Sequence, residues 1–135
     1  MSSKKFKAPV VTLVILTGIN LLNYIDRNIF SALLPAIKAD LHFSDTELGI
    51  LGSGFIIAYI LMAPLFGWLG DRFERTNIMS SGVALWSVAT AFSGLTRSFA
   101  GQLTTRVVVG VGESSYTVLS PGFLSDLFPK SARGR

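Results

Sequence analysis

Four long apolar segments, joined by connectors of only a few residues, restrict the folds open to this chain. A helix needs about 20 apolar residues to cross ~30 Å of hydrocarbon, because it rises about 1.5 Å per residue. The segments at about 9–35, 47–69, 77–96 and 100–127 reach that length. Half of all residues are hydrophobic and the mean hydropathy is +0.53. The sequence therefore predicts an all-α membrane protein with four transmembrane helices.

Basic residues in the connectors predict the orientation in the membrane. Eight Lys and Arg residues fall on one side of the predicted spans, whereas the other side receives only Lys38 and Arg97. Cytoplasmic connectors carry the excess of Lys and Arg, so the eight-residue side is expected to be cytoplasmic. The expectation is a multi-pass protein of the cell membrane with residues 1–8 forming a cytoplasmic N-terminus and residues 128–135 a cytoplasmic connector.

Several function classes find no support in the sequence. Cysteine is absent and the single histidine, His42, lies in a connector, so no metal site and no cofactor are predicted. The net charge of +4 comes from short clusters between apolar segments, which is not the basic face that nucleic-acid binding needs. The sequence contains no nucleophile paired with a base and no phosphate-binding loop, so no pattern in it indicates an enzyme.

Four charged residues lie inside the predicted spans. Asp26 and Arg27 belong to the first span, and Arg106 and Glu113 belong to the fourth. A charge at the centre of a bilayer costs about 2.5–3.5 kcal/mol even on lenient scales, so compensating interactions are required. If the first span ends near Pro35, the rise of the two helices places all four charges in one band of the membrane.

Polar and small residues recur at spacings of three and four along the fourth span and form a single stripe. They are Arg106, Gly110, Glu113, Thr117 and Ser120. Such a stripe must face protein or water, so neighbouring first and fourth spans would let the acids of each offset the bases of the other around a central cavity. Two alternatives remain: a purely stabilising ion network, and a shorter first helix whose outer end carries Asp26 and Arg27.

The connector "GWLGDRFERT", residues 67–76, is the most specific local pattern. Gly67 would permit tight packing, and Asp71 is placed to cap the third helix. The pattern resembles the major facilitator superfamily loop G-x-L-x-D-R-x-x-R-[RK]. The matching residues are Gly67, Leu69, Asp71, Arg72 and Arg75; Glu74 and Thr76 depart from the pattern.

A narrower resemblance involves several further stretches. "NYIDRNIFSALLP", "SDTELGILGSGFIIAYILMAPLFGWLGDR", "ALWSVATAFSG" and "RVVVGVGESSYTVLSPGFLSDLFPKSARGR" are together similar to the spinster family of that superfamily. The resemblance implies a twelve-helix fold of two six-helix halves, of which this chain would be an N-terminal portion lacking a fifth and later helices. It also implies a secondary transporter for lysophospholipids or sphingosine phosphate.

The resemblance implies roles for individual residues. Asp26 and Glu113 would serve proton coupling and gating, and Arg27 and Arg106 would be their charge partners or contacts for an anionic head group. A lipid carrier should also have an apolar wall beside the charges. The candidates for that wall are Phe30, Phe55, Tyr59 and Tyr116. The cytoplasmic gate motif would comprise Gly67, Asp71, Arg72, Arg75 and Asp126.

Three functions are therefore compatible with the sequence. The first is a proton-coupled carrier of an amphipathic lipid with an anionic head, working by alternating access. The second is a symporter for small organic anions from the same superfamily. The third is a membrane assembly subunit that does not transport. The expected partners are membrane lipids, a lipid-like or organic anion substrate, protons and the missing C-terminal helices.

Overall fold

The computed structural model describes the backbone of residues 3–128 and the side chains of residues 9–128, and this part of the chain is entirely α-helical. The helices are α1 (Ser3–Leu41), α2 (Asp45–Arg72), α3 (Arg75–Ser93) and α4 (Phe99–Leu127). Each overlaps one predicted span, and α1 and α2 extend furthest beyond theirs. The side chains of the predicted cytoplasmic segment 1–8, and the connector beyond Phe128, lie outside the described residues.

Helix α1 runs without interruption through both charged residues of the first span. It passes Asp26, Arg27 and Pro35 and ends at Leu41. A proline removes one backbone hydrogen bond, but membrane helices tolerate it where neighbouring groups or a local adjustment satisfy the freed carbonyl. The alternative of a shorter first helix ending at Asp26 and Arg27 is therefore wrong.

The second and fourth helices begin at serine caps. The Ser44 hydroxyl accepts from the Glu47 backbone N–H, and the Glu47 carboxylate accepts from the Ser44 N–H, which together form a capping box. The Ser98 hydroxyl accepts from the Gly101 N–H at the start of α4. These caps end the connectors and fix where α2 and α4 start.

Helix α4 is the centre of the bundle, packed parallel to α2 and antiparallel to α3. Glycine allows both approaches. A Cβ atom on Gly110 would lie 2.5 Å from the Phe55 carbonyl oxygen of α2, and one on Gly112 would lie 2.7 Å from the Gly82 carbonyl oxygen of α3. Close backbone contact of this kind is typical of helix pairs in membranes. Because α2 and α3 cover other faces of α4, the polar face of α4 is the one that α1 contacts.

The outer faces of α1 and α2 are apolar and exposed. Val14 on α1 and Leu61 on α2 are each 66% exposed. Within the described residues, Pro9–Leu41 and Asp45–Arg72 are long and apolar enough to cross a membrane by length and composition. Such faces suit contact with lipid or further apolar helices and not with water.

Candidate functional site

An ion pair joins α1 to α4 in the interior of the bundle. The Arg27 Nε donates to Glu113 Oε2 at 2.7 Å, with the Glu113 side chain 0% exposed and the Arg27 side chain 38% exposed. The contact confirms that the first and fourth spans are neighbours and that a base of one meets an acid of the other. Short charge-assisted bonds of this type are stronger than neutral ones.

Two aromatic rings of α2 flank the arginine of this pair. The Arg27 guanidinium carbon lies 5.4 Å from the centre of the Phe55 ring and 4.9 Å from that of Tyr59. Cation–π attraction is strongest where water is excluded. Two of the predicted wall residues therefore contact the charge directly.

Asp26 of α1 and Arg106 of α4 are a second pair of opposite charges on the two helices. They interact electrostatically, but within the described residues no ion pair joins them directly. The Arg106 guanidinium carbon instead lies 3.6 Å from the centre of the Phe30 ring, and Phe30 is buried. Asp26 and Arg106 both line a cavity of about 390 Å³, which lies among the second half of α1, the end of α3 with its connector, and the start of α4.

A second cavity, of about 320 Å³, opens directly beside the ion pair. Arg27, Arg106, Glu113, Phe30 and Phe55 contribute to its lining. It brings both arginines, one acid and two predicted wall residues to one space. Charged, polar and aromatic groups that converge on a concavity are the usual composition of a binding site.

Four buried polar atoms at this site have no hydrogen-bond partner within the described part of the chain. They are Asn23 Nδ2, Arg27 Nη2, Arg106 Nε and Glu113 Oε1. Nearly all buried polar groups in folded proteins are paired, so such a concentration calls for a specific explanation. The site retains hydrogen-bonding capacity for another group or another conformation.

Tyr116 occupies a different environment from the other predicted wall residues. Its ring is 2% exposed, packs edge-on against Trp86 at 5.9 Å, and its hydroxyl donates to the Leu16 carbonyl oxygen at 2.5 Å. These contacts tie α4 to α3 and α1. The residue belongs to the core and does not line either cavity beside the ion pair.

A charge cluster occupies the opposite end of the bundle from the α1–α2 connector. Arg75 Nη1 lies 2.9 Å from Asp126 Oδ2, and Arg75 Nη2 lies 3.7 Å from Asp71 Oδ1. The Arg75 Nε also donates to the Gly70 carbonyl oxygen at 3.2 Å. One arginine thus connects the ends of α2 and α4 with the start of α3.

Two predictions for this connector are wrong. Asp71 lies inside α2, and the N-cap of α3 is Glu74, which makes no side-chain cap bond, so Asp71 does not cap α3. The tight approach is at Gly70 and not at Gly67. A Cβ on Gly67 would meet Val118 only at 4.0 Å, whereas one on Gly70 would clash with Leu119.

Arg72 takes no part in the charge cluster among the described residues. Its guanidinium carbon lies 4.3 Å from the centre of the Trp68 ring, one helical turn earlier on α2. Both residues are exposed. A surface arginine on a tryptophan is compatible with a position at the membrane boundary, where both residue types are common.

Sequence reasoning missed Asn23 and Ser114. Asn23 precedes Arg27 by four residues, so it lies on the same face of α1, and that spacing was a sufficient signal. The Ser114 hydroxyl donates to the Tyr59 carbonyl oxygen of α2 at 3.0 Å. No spacing within α4 indicates which helix receives that bond.

Within the described residues there is no group of three or more side chains suited to hold a metal ion.

Comparison with known families identifies the fold that these helices belong to. Residues 16–135 match the Major Facilitator Superfamily, which covers most of the chain and all of the site residues. The chain belongs to the major facilitator superfamily. The four helices thus belong to a family of membrane proteins, in agreement with the apolar outer faces of α1 and α2.

Among members of this superfamily, the chain is similar to spinster proteins. It is 42% identical over 132 residues to Protein spinster homolog 1 of Xenopus tropicalis, covering 96% of this chain and 25% of the relative. It is 37% identical to Protein spinster of Drosophila melanogaster, covering 92% and 20%, and 41% identical to Protein spinster homolog 1 of Homo sapiens, covering 90% and 23%. The chain spans about a quarter of the length of these relatives.

Proposed function

We propose that this chain is part of a proton-coupled secondary transporter that moves an amphipathic lipid with an anionic head group, such as a lysophospholipid or sphingosine phosphate. The observation that carries the proposal is the Arg27–Glu113 ion pair, buried between two helices and beside a cavity. A buried pair is weak evidence for stability, because desolvation offsets much of its attraction. Such groups inside a membrane protein more often serve transport.

Protonation of Glu113 is the coupling step in this proposal. A proton added to its carboxylate removes the negative charge and weakens the bond to the Arg27 Nε. The freed Arg27 guanidinium can then bind an anionic head group at the same cavity. Asp26 acts as the second acid, through its interaction with Arg106.

The lining of the cavity of about 390 Å³ supports a lipid substrate. Ile29, Leu33 and Ile37 continue along α1 from Asp26 toward the outer end of the helix. An acyl chain can lie along such an apolar wall while the head group stays near Arg106. Phe30 and Phe55 join the wall to the ion pair.

The Asp71–Arg75–Asp126 cluster acts as the cytoplasmic gate. One arginine bridging the ends of three helices stabilises the conformation in which those ends are together, and its release accompanies opening. This assignment places the N-terminus on the cytoplasmic side of the cell membrane. The protein works as a carrier and not as an enzyme, and further helices complete the site, in line with the greater length of the spinster relatives.

A symporter for small organic anions is the second candidate. The cavity beside the ion pair, about 320 Å³, has the size of a small-molecule site, and two arginines reach it. An organic anion that fits this space would not need the apolar wall along α1. The two candidates therefore differ in their dependence on that wall.

Uptake by proteoliposomes containing the full-length protein separates the candidates. An inward proton gradient is expected to drive uptake of a labelled lysophospholipid, and Leu33→Asn, which makes the α1 wall polar, is expected to reduce it. Leu61→Asn, on the exposed face of α2, is the matched control. Gradient-driven uptake of a small dicarboxylate but not of lipid would favour the second candidate, and no uptake of either would contradict both.

A further inference from the structure

Asn23 lies beside the ion pair but takes no part in it. It precedes Arg27 by one helical turn on α1, and it is 5% exposed. Its amide Nδ2 has no hydrogen-bond partner. A buried amide donor without a partner costs roughly 1–3 kcal/mol, so its retention at this place needs a reason.

A buried acceptor without a partner belongs to Glu113 on the neighbouring helix. Arg27 occupies Oε2 at 2.7 Å, while Oε1 is buried and has no partner. The Asn23 amide lies within reach of this carboxylate, at the margin of hydrogen-bonding geometry. The Asn23 Nδ2 donor of α1 and the Glu113 Oε1 acceptor of α4 are thus both buried, and neither has another partner at this site.

Arg106 is a poorer candidate for the same acceptor. It lies seven residues before Glu113 on the same helix, which separates the two backbones by about 10 Å along the axis. Its guanidinium is stacked on Phe30 at 3.6 Å. Asn23 lies on the face of α1 that carries Arg27 and is within reach of the Glu113 carboxyl group.

We infer that Asn23 is a positioning residue that donates to the Glu113 carboxyl group when Arg27 releases it. Asn23 and Arg27 occupy one face of α1, so a movement of that helix exchanges one donor for the other. The exchange keeps the Glu113 side chain paired and in place during the transport cycle, in its protonated form as well. This inference rests on the proposed role of Glu113 and adds a second donor to it.

Thermal unfolding of the purified protein tests the exchange without any transport measurement. With Arg27 present, Asn23→Leu is expected to shift the melting temperature no more than Asn28→Leu, its exposed counterpart on α1. In an Arg27→Met background, Asn23 becomes the remaining donor, so Asn23→Leu should lower the melting temperature further than Asn28→Leu does. Adding Glu113→Gln should abolish that difference. Equal shifts in all three backgrounds would overturn the inference.

Transport kinetics provide an independent test that does not require the Arg27→Met variant to fold. Asn23→Leu in the full-length protein is expected to lower kcat by about two- to ten-fold, the factor for loss of one hydrogen bond to a neutral carboxyl group, with KM unchanged. An increase in KM with kcat unchanged would assign Asn23 to substrate binding and overturn the inference. If the protein proves not to move protons, the proposed function fails, but the unfolding comparison still decides the role of Asn23.

Discussion

Replacing Gly112 with alanine is expected to separate α3 from α4. The new Cβ would lie 2.7 Å from the Gly82 carbonyl oxygen, 2.8 Å from the Trp86 Cβ and 3.0 Å from the Trp86 nitrogen. Two of these are backbone atoms, so no side-chain rotation relieves the contact. Ordinary contact begins at 3.4 Å, and the helices must therefore move apart by about 0.7 Å.

The energetic effect is large enough to measure. Overpacking of this kind costs about 1–3 kcal/mol, whereas replacing a helical glycine with alanine stabilises a helix by about 0.5–1 kcal/mol. The net loss lowers the melting temperature by several degrees, since about 1 kcal/mol corresponds to roughly 2–8 °C in a domain of this size. The assay is thermal unfolding of the purified protein in detergent.

Gly49→Ala is the matched control for this experiment. A Cβ at Gly49 on α2 meets nothing within 4 Å, so the substitution should leave stability unchanged or raise it. The difference between the two variants isolates the close contact of α3 with α4. Equal melting temperatures for Gly112→Ala and Gly49→Ala would refute the packing argument.

Three other predictions follow from the charges. Asp71→Asn weakens its pairing with Arg75 and should shift the full-length carrier toward inward-open states; identical cysteine accessibility from both sides, with and without the change, would contradict a gating role. Lys38→Met should change the free energy of unfolding by less than about 1 kcal/mol, because its pair with Asp45 is exposed; a larger loss on denaturation would contradict this. This chain reconstituted alone should carry no substrate, since in the proposed function further helices complete the site; saturable flux in a sample free of full-length carrier would show otherwise.

The helices and their neighbours were largely predictable from the sequence. Apolar length located four helices, and the three-to-four spacing of polar residues on α4 predicted a polar stripe whose charges would pair with those of α1 if the two helices were neighbours. Both inferences depend on strong constraints, because a membrane helix must satisfy its backbone internally and a buried charge must find a counter-charge. The pairing of Arg27 with Glu113 in the structure agrees with the second requirement.

The details of side-chain contact were less predictable. Gly67 was expected to be the close contact, but the structure places that contact at Gly70, because the facing side of α2 depends on its rotation against α4. Asp71 was expected to cap α3, but α2 continues through it to Arg72. The second error arises within one turn of a helix end, where boundaries are hardest to assign from sequence.

The most direct test of the proposed coupling is gradient-driven uptake by Glu113→Gln in the full-length protein. The amide keeps the size of the side chain but cannot carry the proton or form the ion pair with Arg27. Glu74→Gln, an exposed acid before α3, is the matched control. We predict that uptake driven by a pH gradient in proteoliposomes falls to background with Glu113→Gln and is unchanged with Glu74→Gln. Undiminished proton-driven uptake with Glu113→Gln would contradict the proposal.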